Sequence, residues 1–254
     1  MESQFLGIPH VTELVFYGLV LAPFCTSFIG TATGTAGGLA LLAILALVFP
    51  PAVLIPVHTV VQFGAGASRA LLMRRYVMRG TLLPFFLGAV LGAAGGAQIF
   101  ITLPTAALQG IIGGSILLLI WMPKIARIGA ERRRFAAVGF AASFLGMFVS
   151  ASGAMIAPFV ASASPDRRNY VATFATMMAM VHVTKLVAFG MLGVALGAYV
   201  PLILPMIAAA GLGNWVGGRV LNRIPERRFR IVFQVLLSAL ALRLVWSAAG
   251  DFLA

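Results

Sequence analysis

Hydrophobic and polar positions in this chain do not alternate; they come in blocks. The segments Val11–Ile29, Ala52–Leu72, Thr81–Ile101, Thr105–Met122, Tyr170–Met191, Ala198–Gly218 and Phe229–Ala248 are each predominantly apolar. A helix needs roughly 20 apolar residues to cross the hydrocarbon core of a bilayer, and each block approaches that length. A transmembrane β-barrel would alternate polar and apolar positions, so that fold is excluded. The pattern predicts an all-α integral membrane protein.

The polar residues between the blocks set the topology. Arg74, Arg75 and Arg79 share one connection; Lys124, Arg127, Arg132, Arg133 and Arg134 share the next basic one. Arg167 and Arg168 mark a third, and Arg219, Arg223, Arg227, Arg228 and Arg230 a fourth. The N-terminal tail, Phe49–Pro51, Thr102–Pro104, Leu192–Gly197 and the C-terminal tail hold no Lys or Arg. The positive-inside rule puts the four basic connections in the cytoplasm and the rest outside. Met1–His10 lacks a basic n-region and reads as mature sequence rather than a signal peptide.

Parity then constrains Phe135–Ser164, which starts and ends on the inside. Its 30 or so residues make about 45 Å of helix, too short for two crossings. Ser150-Ala151-Ser152-Gly153 interrupts it, which predicts a re-entrant helical hairpin. Non-helical backbone at membrane depth needs burial in protein or a polar cavity. The first half reads alike: a helix from about Val11, the break Gly30–Gly38, and a short second helix ending at Pro50-Pro51. The expectation is two inverted repeats, 1–130 and 131–254, each a broken helical hairpin plus three transmembrane helices, as in secondary transporters. Weak sequence echoes support it. Gly80-Thr81-Leu82-Leu83-Pro84 matches Gly197-Ala198-Tyr199-Val200-Pro201, Leu103-Pro104 matches Ile224-Pro225, and Ser68-Arg69 matches Thr184-Lys185.

Composition sharpens this picture. Hydrophobic residues make up 61% of the chain and charged ones 9%, too few charges to clothe a soluble domain of this size. The formal net charge of +12 would suggest nucleic acid in a soluble protein. Here the arginines fall between apolar blocks, so they read as topology determinants beside anionic lipid, with no nucleic-acid partner. The single cysteine, Cys25, cannot form an intrachain disulfide.

Two groups of residues carry candidate chemistry. Each break opens a helix near the midplane, after Gly34 and after Ser152, where free N–H groups and the positive dipole end favour an anion. Thr33, Thr35, Ser150 and Ser152 add hydroxyls there, with Gly34 and Gly153 giving close approach. The second group is cationic and polar: Arg69, Lys185, His58, Gln62 and His182. An intramembrane Lys costs about 2.5–3.5 kcal/mol on insertion scales and is a functional hypothesis by default; Arg69 lies nearer a helix end, where it can snorkel. His182 stands three residues before Lys185, on the same helix face. Asp and Glu are absent between Glu13 and Glu131 and from the apolar runs that follow. That argues against cation channels, carboxylate proton pumps and metal sites, and for an anionic ligand at Lys185. Three His and one Cys make a metal or other cofactor unexpected, and no Walker-type loop is present.

The Gly34-Thr35-Ala36-Gly37-Gly38 break, the turn from Pro51 to Pro56, His58-Thr59 on a small, polar helix, and the half-length echo from Gly146 to Gly153 and Thr173 to Lys185 together resemble the TauE/SafE family of sulfite or organosulfonate exporters and permeases. The resemblance runs from about Leu14 to Trp246. It implies a multi-pass protein of a prokaryotic cytoplasmic membrane that moves a small sulfur-containing anion. Residue chemistry alone does not separate sulfonate from carboxylate, so a small-carboxylate permease is the nearest alternative. A membrane phosphatase would want acid/base carboxylates beside Arg, and a non-transporting subunit would turn Lys185 toward a partner chain. The expected partners are the anion and the lipid bilayer; a coupling proton or counter-ion and a homo-oligomeric state are compatible with this reading.

Overall fold

The structure is a computed structural model that describes residues 5–33, 37–72, 74–121, 132–149, 152–220 and most of 235–250. The described residues are helical, with no strand among them. The long helices are α1 (Glu13–Thr33), α3 (Pro51–Leu72), α4 (Arg79–Thr102), α5 (Thr105–Trp121), α6 (Arg132–Val149), α8 (Arg167–Met191) and α9 (Val200–Val220). Two short ones, α2 (Gly37–Leu45) and α7 (Gly153–Ala163), follow α1 and α6. At 1.5 Å per residue they span only about 14 and 17 Å, half of a hydrocarbon core. Three stretches, Arg79–Thr102, Arg168–Met191 and Gly197–Gly217, are long and apolar enough to cross a membrane. Prolines lie inside α1, α3, α4, α7 and α9, as membrane helices tolerate.

Where both positions are described the helix starts keep a constant spacing: α3 opens at Pro51 and, 116 residues on, α8 opens at Arg167. The connecting residues 34–36 and 150–151, where non-helical backbone is expected, lie outside the described residues, as do 122–131 and 221–234 with most of the second and fourth basic connections.

Compactness divides the chain differently from its two sequence halves. One unit comprises Met1–Ala65, Pro104–Trp121 and Ala195–Ala254; the other comprises Gly66–Leu103 and Met122–Val194. In the first unit α1 runs along α9, close enough that a Cβ on Gly213 would strike the Phe24 carbonyl. α2 packs on α1 and is buried through Leu41, Leu42 and Leu45.

In the second unit the dominant pair is α4 on α6. Gly88 and Gly92 on α4 face the carbonyls of Ala136 and Phe140, and Gly139 on α6 faces the Phe85 carbonyl; a Cβ at any of the three would collide with backbone. Gly88 and Gly92 therefore serve close helix packing. α6, α7 and α8 then enclose a core of Phe85, Phe135, Ile156, Val160, Met177 and Val181. Asp166 caps α8, accepting the N–H groups of Arg168 and Asn169 at 2.7 and 2.9 Å. The opposite face of α4 exposes Leu83, Leu87 and Leu91, the surface a bilayer would cover.

Candidate functional site

Lys185 is the largest polar side chain buried without residue in the second unit, at 0% exposure. It sits in the interior of α8, six residues before its end. The facing wall is α6, at Gly146. A Cβ built on Gly146 would lie 2.5 Å from Ser152 Oγ and 3.7 Å from both Lys185 Cδ and Val181 Cγ1. The missing side chain at Gly146 is therefore what lets the opening of α7 and the stem of Lys185 come together.

Ser152 holds that corner. Its Oγ donates to the Ala142 carbonyl at 2.7 Å, and the residue is buried. It stands at the cap position of α7 with helical dihedrals (φ −54°, ψ −22°) and makes no side-chain cap. A hydroxyl has one proton to give, and here it braces α6 against α7. The Ser152 carbonyl accepts the N–H groups of Met155 and Ile156, each at 3.2 Å. Gly153 opens α7 and lies against the Phe174 ring, 3.2 Å from where its Cβ would be. His182 is buried one turn before Lys185. Ser143, one turn before Gly146 on α6, is fully buried, and its hydroxyl has no hydrogen-bond partner among the described residues.

The first unit contains a matching half-helix with different chemistry. His58 on α3 is fully buried, and its Nε2 lies 2.9 Å from the Gly38 carbonyl. A carbonyl only accepts, so Nε2 carries the proton. Gln62, one turn on, lays its amide nitrogen over the same glycine, 2.7 Å from where a Cβ would stand. Thr59 donates back to the Ile55 carbonyl at 2.7 Å.

The structure thus brings Ser152, Gly153, His182 and Lys185 into one unit, and His58 and Gln62 into the other. Thr33 ends α1 and Arg69 lies on α3; their side chains, and all of Gly34, Thr35 and Ser150, lie outside the described residues. Sequence reasoning did not assign Gly146, Ala142 or Ser143 to the site. Gly146 was visible only as one more small residue, and a backbone carbonyl carries no sequence signal.

Short helices beside buried polar side chains, set among long apolar helices, are the architecture of an all-helical membrane protein. The sulfite exporter TauE/SafE family model matches residues 19–244, nearly the whole chain, and the chain belongs to that family. No curated protein and no solved structure matches it.

Proposed function

We propose that the chain is a secondary transporter that moves sulfite or an organosulfonate across the cytoplasmic membrane of a prokaryote by alternating access, and that Lys185 supplies the charge its substrate meets. The full burial of Lys185 carries this reading. Burying a charged group in apolar surroundings is costly unless charge and hydrogen bonds meet it. A small oxyanion placed between Lys185 and the start of α7 would meet a cation and a helix N-terminus together. Ser152 and Gly146 shape the corner beside Lys185, and His182 lies one turn before it on α8.

The 116-residue offset between the starts of α3 and α8 supports reading residues 1–130 and 131–254 as repeats of opposite topology. Under that reading α2 and α7 are the half-helices on which such transporters build their sites. Thr33, Gly34, Thr35, Ser150 and Arg69 remain candidate ligands in it.

Flux of labelled sulfite, a taurine-like sulfonate and a short carboxylate into proteoliposomes tests the proposal. Wild-type protein should carry a sulfur oxyanion in preference to the carboxylate, and Lys185→Ala should not. Preferred carboxylate flux would establish the small-carboxylate permease instead. Normal transport by a properly inserted Lys185→Ala protein would remove Lys185 from the site.

A further inference from the structure

At one end of the second unit the basic connections are built into a single surface. The turn Arg74–Tyr76 is fastened to the start of α8. Arg168 donates from Nη1 to Tyr76 Oη at 3.2 Å and lies over the Tyr76 ring at 5.4 Å. Asn169 Nδ2 donates to the Tyr76 carbonyl at 2.7 Å, and the Met78 N–H donates to Thr173 Oγ1 at 2.9 Å. Arg74, Arg75, Arg79 and Arg168 are all exposed around this clamp. The neighbouring carboxylate, Asp166, is occupied by the N–H groups of Arg168 and Asn169.

Directly beyond Arg79, α4 turns a row of leucines outward. Leu83, Leu87 and Leu91 are between 56% and 66% exposed and stand one helical turn apart. A surface that is cationic at its head and apolar along its length fits an amphiphile. A soluble polyanion would use the arginines and leave the leucines idle.

We infer that the Tyr76–Arg168 corner is a binding site for the phosphate headgroup of an anionic phospholipid, whose acyl chains lie along α4. Tyr76 holds the Arg168 guanidinium in place by hydrogen bond and ring contact, so the headgroup meets a preorganised fork. Arg74, Arg75 and Arg79 add charge around it. The topology-setting role of these arginines does not require the clamp, and this inference does not rest on the transported substrate.

Native mass spectrometry of the full chain, titrated with phosphatidylglycerol or phosphatidylcholine in micelles, tests it. Wild-type protein should retain phosphatidylglycerol preferentially. Each juxtamembrane arginine is worth about 1 kcal/mol toward anionic lipid, or roughly fivefold. Arg75→Gln and Arg168→Gln should each weaken retention by about that factor, and Arg168→Lys by nearly as much, because an ammonium does not reproduce the planar fork. Arg219→Gln removes the same charge from an arginine stacked on Trp215 in the other unit and should leave retention within about twofold. Equal losses in Arg168→Gln and Arg219→Gln would reduce the effect to net charge and overturn the site. So would equal retention of both lipids, or saturation by a soluble poly-glutamate peptide in place of phosphatidylglycerol, which would assign the surface to an acidic protein.

Discussion

The two half-helices share a backbone device and differ in what they hold. α2 opens at Gly37 and α7 at Gly153, and each is overlain by the long helix that follows it. In the first unit that helix presents His58 and Gln62 to Gly38. The positions 116 residues further on are Phe174 and Met178, and these are what pack against Gly153. The first opening is thus fixed by a directional, neutral hydrogen bond, and the second by van der Waals contact with an aromatic ring and a thioether. Polar chemistry in the second unit comes instead from Ser152 on the α6 side and from Lys185 further along α8. A repeated backbone can therefore be pinned by polar side chains in one copy and freed to carry charge in the other.

Removing the charge should have the largest effect. Lys185→Ala is expected to weaken anion binding by roughly 10- to 150-fold, the equivalent of about 1.5–3 kcal/mol for one charge-assisted hydrogen bond. Lys185→Arg should recover part of it, since charge is kept and reach is changed. Equilibrium binding of labelled sulfite would read both, and wild-type affinity in Lys185→Ala would falsify the contrast between the units.

His58→Ala should act on stability more than on binding. It leaves the buried Gly38 carbonyl without its ring donor, at about 1–3 kcal/mol. A lowered Tm in detergent with anion affinity reduced less than in Lys185→Ala is expected. The reverse order would show that the first unit, not the second, dominates recognition.

Gly146→Ala places a methyl group against Ser152 Oγ. Overpacking of this kind costs about 1–3 kcal/mol, and here it should displace the Ser152–Ala142 hydrogen bond as well. Anion affinity should fall along with Tm; a fall in Tm alone would mean that Gly146 serves packing only.

Ser152→Ala should be the mildest, about 0.5–1.5 kcal/mol for one neutral hydrogen bond. If its hydroxyl braces α6 and α7, the variant loses stability while anion affinity changes less than twofold to threefold. A loss approaching that of Lys185→Ala would restore Ser152 as a direct ligand.

Much of this architecture is legible in the sequence because bilayer physics leaves few options. Apolar blocks bounded by Arg74–Arg79, Thr102–Pro104 and Leu192–Gly197 place α3, α4, α5 and α8 to within a few residues. Lys185 stands out because a lysine inside an apolar run has no inexpensive explanation. What composition and spacing do not carry is direction. Whether Ser152 points forward to a ligand or back to Ala142 depends on a carbonyl of another helix. Whether His58 meets Gly38 or His182 depends on how helices distant in sequence gather into units. Gly146 looks the same as any packing glycine until the side chains it admits are in place.

The reciprocal glycine seam between α4 and α6 also acts as a ruler. Glycines at 88, 92 and 96 repeat every four residues, so one turn of sliding, about 5.4 Å, would present nearly the same groove from the α4 side. The seam is not symmetric, however. The Phe85 carbonyl needs Gly139 of α6 opposite it, and at Gly96 the Met147 side chain joins the Phe144 carbonyl in the groove. A slipped pair would drive a carbonyl into a residue with a Cβ. The fit therefore favours one register over its neighbours a turn away, which makes α4 and α6 a single beam with Gly146 mounted on it.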